Sequence, residues 1–192
     1  MYRPTVRVMR TLIAPALRRV FPERPRGRLL CVFVRLGDKF KEAKPVAMAE
    51  YWRQIESLSA RFNVSVVYLS SDSQWAIGNL SALAAGRTDL RVATLDYARL
   101  GEGMNQKFVV EKLWHNPAVE DLVRTMLADL VVAASAHVWL GEAAATLSAD
   151  HNGKGTLSSN YCRLQNEMRC ANGRFGTQYW SLDRDSHDLF ND

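Results

Sequence analysis

Two polar clusters hold residue types able to grip a diphosphate and move a proton. The first, Arg35, Asp38, Lys39 and Glu42, follows directly on the apolar run Leu29–Val34. The planar guanidinium of Arg35 matches phosphate oxygens with two parallel donors and can neutralise a departing diphosphate. Lys39 can add a second positive charge or pair with Asp38. Glu42 can act as general base on a hydroxyl if partial burial raises its affinity for a proton. The second cluster, Ser158, Ser159 and Asn160, stands where a helix is expected to begin. There hydroxyls and uncommitted backbone N–H groups together form a phosphate cradle. Plainer readings stay open for both: a solvated, salt-bridged loop, and an ordinary helix cap.

Two further acids are candidates. Asp72 ends the run Val67-Tyr68-Leu69-Ser70-Ser71-Asp72, where it can accept hydrogen bonds from a nucleoside or cap the following helix. Asp129 lies in Leu127-Ala128-Asp129-Leu130-Val131-Val132, either as a partnered buried acid or as the polar edge of an amphipathic face. His115, His137, His151 and His187 show no ligand spacing, and neither do Cys31, Cys162 and Cys170.

These residues need elements to position them, and the hydrophobic pattern supplies a regular alternation. Strands are expected at Leu29–Val34, Val64–Ser70, Leu90–Leu95 and Ala136–Leu140, with an edge strand within 175–182. Helices are expected at Pro45–Phe62, Ser73–Ala85, from Pro117 to about Ala134, and over Ser158–Cys170. Met48, Tyr51, Trp52, Ile55 and Leu58 share one face of the first of these. Strands separated by helices imply a parallel sheet with right-handed crossovers: an α/β, Rossmann-like fold with helices on both faces. No glycine-rich nucleotide loop is present. The stretch 141–154 is longer than an ordinary strand-to-helix connection and is expected to be an inserted surface loop, with a short extra helix as the other reading.

At 192 residues, 47% hydrophobic and 23% charged, the chain suits one globular domain. No apolar run approaches the roughly 20 residues that span a bilayer. The net charge of +5 is concentrated: residues 1–28 hold eight arginines against one acid. The sequence pI of about 9.3 thus reflects a basic arm on a nearly neutral body. Such an arm suits a polyanion, a membrane surface or a transit peptide, but its spacing predicts an amphipathic helix, Thr5–Val20, with Val6, Met9, Leu12, Ile13, Leu17 and Val20 on one side.

In combination the segments resemble the fucosyltransferases of the α1,6, α1,2 and protein-O-fucosyltransferase superfamily, most closely the α1,6 type acting on N-glycan cores. The family's strand-end element is similar to Phe33-Val34-Arg35-Leu36-Gly37-Asp38-Lys39, with Glu42 and then Glu50-Tyr51 following. Its second motif is similar to Val67-Tyr68-Leu69-Ser70-Ser71-Asp72-Ser73. Its third resembles Asp129 to Leu140 followed by Thr156–Arg163.

The resemblance implies the C-terminal, donor-binding half of a two-lobed GT-B glycosyltransferase. Residues 1–28 would be a remnant of the preceding lobe and 29–192 the nucleotide-sugar domain. It implies inverting, metal-independent transfer of L-fucose from GDP-fucose to a glycan or glycoprotein hydroxyl, without a cofactor, in the Golgi. Arg35 and Glu42 would be catalytic. Arg35, Asp38, Lys39, Tyr51, Asp72, Asp129, Ser158, Ser159 and Asn160 would contact the donor. A catalytically impaired GDP-sugar-binding or scaffold domain is the alternative. No nucleic-acid partner is expected, and no membrane segment in this chain.

Overall fold

The computed structural model describes residues 5–23, 27–34, 36, 46–96, 118–141 and 178–181. Five strands, β1 (Arg28–Val34), β2 (Val64–Ser71), β3 (Arg91–Ala93), β4 (Val138–Gly141) and β5 (Gln178–Ser181), form one sheet in the order β3-β2-β1-β4-β5. Every neighbouring pair is parallel. The helices are α1 (Val6–Val8), continuing through a π-helical turn (Met9–Ile13) into α2 (Ala14–Val20), then α3 (Met48–Phe62), α4 (Gln74–Ala84) and α5 (Ala118–Ala134). This is the expected α/β, Rossmann-like architecture.

β1 is central and covered on both faces, which is why its residues run apolar without alternation. Side-chain parity divides the core. Leu30, Val32 and Val34 join Val67, Leu69, Val138 and Leu140 beneath α3 and α4. Leu29, Cys31 and Phe33 join Val66, Tyr68, Ala93 and Leu95 on the opposite face. There Ala16, Leu17 and Val20 of α2 and Ala128, Val132 and Ala133 of α5 cover them. The basic arm therefore contributes directly to the core.

Proline shapes that arm. Pro15 has no N–H to offer the carbonyl one turn earlier, and the helix takes up the mismatch just before it as a π turn, with the Ala14 N–H bonded to the Met9 carbonyl. Ile13 and Val20 are thereby buried, while Val6 and Met9 remain exposed although their spacing placed them on the apolar side.

α3 starts at Met48, later than the Pro45 expected, and buries Met48, Tyr51, Ile55 and Leu58 at helical spacing. It stops at Asn63, whose φ of 52° is a left-handed conformation that asparagine tolerates, and β2 begins with the next residue. At the other end of β2, Ser73 caps α4 by accepting the Ala76 N–H at 3.3 Å. Asp72 is left for another task.

β3 and β4 do not cover the whole of their apolar runs, and hydrogen bonds outside their bounds continue the contact with the neighbouring strand. The Thr94 hydroxyl donates to the Leu69 carbonyl at 2.9 Å beyond the end of β3. Before β4, the His137 N–H donates to the Leu29 carbonyl at 2.8 Å, and its ring Nδ1 accepts the Leu29 N–H at 3.1 Å. Gly27 enters β1 so close to Ser65 that a Cβ would stand 2.4 Å from Ser65 Oγ, a spacing only glycine permits.

On the surface, Arg87 forks onto Asp89 at 2.8 and 2.7 Å and reaches Glu56 at 3.0 Å. The Arg87 hydrogen bonds hold the Asp89 carboxyl down at about 2, below its ordinary 3.8. A depressed folded-state value stabilises the fold above the unfolded value, and that stabilisation fades as pH falls from about 4 to about 2. Urea midpoints of wild type and Arg87→Ala are expected to differ slightly at neutral pH and to converge over that acid range. The pair is solvent-exposed, so salt should shrink the difference. A difference that persists at pH 2 would exclude this origin.

Candidate functional site

All five strands point the same way, so their carboxyl ends share one edge of the sheet. Chain order reverses beside β1: β2 and β3 build outward on one side, and β4 and β5 on the other. Such a switch point leaves a crevice at the carboxyl edge, because successive connections depart over opposite faces. The chain leaves β1 after Val34 and its neighbour β4 after Gly141, both at that reversal. In sequence those exits lead to the Arg35–Glu42 cluster and to the stretch 142–177. Arg35, Asp38, Lys39, Glu42, Ser158, Ser159 and Asn160 lie outside the described residues, as does the expected insertion apart from Gly141, which closes β4.

Asp72 sits on this edge. The Ser71 hydroxyl accepts the Ser73 N–H at 3.0 Å, forming a tight turn in which Asp72 is the middle residue. From there Asp72 Oδ1 accepts the Leu36 N–H at 3.2 Å. The side chain of one strand-end motif thus holds the backbone of the other, two residues beyond β1. Leu36 also packs on the core beneath α3 and α4. The bond is a carboxylate-to-backbone tie that fixes the loop after β1 against the end of β2.

Asp129 is placed differently. It is 3% exposed, on the face of α5 that lies against the sheet. Ala128, Ala133 and Ala136 are small enough to bring the helix close, and a short acidic side chain then reaches the strand. Ser70 Oγ donates to Asp129 Oδ2 at 2.5 Å, and the Tyr68 hydroxyl donates to Asp129 Oδ1. Charge-assisted bonds of this kind are what make a buried carboxylate tolerable. Of the two readings open for Asp129, the structure selects the partnered buried acid.

Tyr51 is fully buried under α3 within the first core face. Asp129 and Tyr51 are therefore on opposite sides of the sheet. The fold brings Asp72 to the edge beside the loop after β1, and sets Asp129 under β2 two strand positions behind it. The hydrogen-bonding roles of Tyr68, Ser70, Ser71 and Ser73 escaped the sequence reading, which quoted them only as part of a motif. Their signal was present in the polar run Ser70-Ser71-Asp72-Ser73 closing an apolar strand, and in the two-residue spacing that puts Tyr68 and Ser70 on one face.

Among the described residues no three His, Cys, Asp or Glu side chains gather as a metal site requires. No described helix is long and apolar enough to cross a membrane. The chain matches no protein-family model and no curated protein. What the fold defines is an α/β protein built on a Rossmann-like parallel sheet, with a switch-point edge where one strand-end motif is tied to another.

Proposed function

We propose that this chain is the donor-binding half of a fucosyltransferase of the α1,6 type, taking GDP-fucose at the carboxyl edge of the sheet. The observation that carries the reading is the bond from the Leu36 N–H to Asp72. It joins the two motifs that resemble the family, beside the switch point where Rossmann-like folds take nucleotides. In this reading Arg35, with Lys39 and Asp38 beside it in sequence, binds the diphosphate. Ser158, Ser159 and Asn160 cradle the phosphates, and Asp72 accepts from the nucleoside.

The glycan hydroxyl attacks the anomeric carbon of fucose while Glu42 takes its proton. The bond to the diphosphate oxygen breaks with its electron pair, and the new glycosidic bond forms with inversion. Arg35 offsets the charge on the leaving GDP, so the metal-independent course of the family follows. A glycan or glycoprotein acceptor, residence in the Golgi and a companion lobe in the GT-B manner belong to the same reading.

Calorimetry of the full chain with GDP tests it. Losing a bidentate arginine–phosphate contact is worth roughly 10- to 100-fold in affinity, so Arg35→Ala should weaken GDP by about that factor. Unchanged affinity sinks the phosphate assignment.

A second reading is favoured by the surroundings of Arg35. Phe33 is buried in the second core face and Leu36 packs on the first, where the family carries a histidine and a second arginine. Two side chains spent on packing are unavailable to a donor. This reading makes the chain a GDP-sugar-binding or scaffold domain. GDP binding that depends on Arg35, without fucose transfer to any of a panel of glycans, selects it.

A further inference from the structure

The basic arm has no part in the donor site and keeps a surface of its own. From Thr5 to Val20 the helical arm carries Arg7, Arg10, Arg18 and Arg19 and no acid; Glu23 is the nearest downstream. All four arginines are exposed, and none makes an ion pair among the described residues. The arm is anchored on its other side by Ile13 and Val20, and by Arg91, whose guanidinium donates to the Val20 carbonyl. The charged side therefore faces away from the sheet and cannot collapse onto it.

Its first turns present apolar groups among those charges. Val6 is 66% exposed and Met9 36% exposed, on either side of Arg7 and next to Arg10. A site for single-stranded nucleic acid pairs its cations with stacking or hydrogen-bonding side chains, and Val6 and Met9 supply neither. A bilayer with anionic headgroups uses both: cations meet the lipid phosphates while short apolar groups enter the acyl boundary.

We propose that the Thr5–Val20 arm docks the domain reversibly on an anionic lipid surface. The arginines supply the attraction, and Val6 and Met9 enter the headgroup layer. Because Ile13 is buried and Val20 packs in the core on the sheet, the arm stays with the domain and the contact is peripheral.

Co-sedimentation of the full chain with phosphatidylcholine vesicles, with and without about 30 mol% phosphatidylserine, tests the proposal. Binding is expected to the anionic vesicles, little to the neutral ones, and a fall of at least tenfold between about 0.05 M and about 0.5 M salt. Removing each arginine should cost about fivefold, so the double variant Arg7→Gln/Arg10→Gln should lose roughly 25-fold. These side chains are exposed, so its thermal midpoint should match wild type. The variant Val6→Ser/Met9→Ser should weaken vesicle binding while leaving capture of a single-stranded RNA oligomer unaltered. Equal binding to neutral and anionic vesicles overturns the proposal. So does wild-type vesicle affinity in Val6→Ser/Met9→Ser, which would make the arm a general polyanion binder.

Discussion

Asp129→Ala should lower the stability of the domain by about 3 kcal/mol or more in urea denaturation. The alanine leaves the Tyr68 and Ser70 hydroxyls buried without the carboxylate that accepts from them. A hydrogen bond to a charged group is worth roughly 1.5–3 kcal/mol, and two such bonds are lost at once. Against a typical total of roughly 5–15 kcal/mol, that loss is large. Two companion variants establish its origin. Asp129→Asn keeps an oxygen for one hydroxyl and can donate to the other, so it should lose much less. Adding Tyr68→Phe and Ser70→Ala to Asp129→Ala removes the two hydroxyls that donated to the carboxylate and should recover part of the loss despite the smaller side-chain volume. If Asp129→Ala stays within about 0.5 kcal/mol of wild type, the cluster does not hold α5 to β2.

Tyr51→Ala is the second large effect, at about 3–5 kcal/mol. The ring is wholly buried and belongs to the first core cluster, which also holds Leu30, Val32, Ile55 and Leu69. Truncation leaves a cavity that close-packed neighbours fill only in part. Tyr51→Phe keeps the ring and removes one hydroxyl, so it should cost about 1 kcal/mol. That conservative variant separates packing from donor contact. If Tyr51 acts through the core, Tyr51→Phe binds GDP like wild type. A drop of tenfold or more in GDP affinity, with stability retained, would return Tyr51 to the donor site.

Both variants concern residues that a linear reading placed among ligand contacts, and the structure gives each a definite seat in the interior. Asp72 took the other course. A cap was an equally plausible role for it, but Ser73 does the capping, and Asp72 reaches across to the Leu36 amide. Capping needs only a side-chain oxygen one residue before the helix, and Ser71-Asp72-Ser73 offers three such residues in a row. Which one caps depends on the turn geometry, set here by the Ser71 hydroxyl.

The sequence by itself determined the order and kind of the elements. A strand buried on both faces must be apolar throughout, and a helix resting on a sheet must repeat its apolar residues every three or four positions, so β1, β2 and α3 were legible from local chemistry alone. Side-chain parity along β1 and β2 carried the two-faced core in the same way. Only the tertiary structure decided which residues meet. The β3-β2-β1-β4-β5 order, the contact of Asp129 with Tyr68 and Ser70 some sixty residues away, and the hold of Asp72 on Leu36 are pairings across the fold. Periodicity specifies the face a side chain occupies, whereas a partner is specified by how strands and helices stack, a property of the packed chain as a whole.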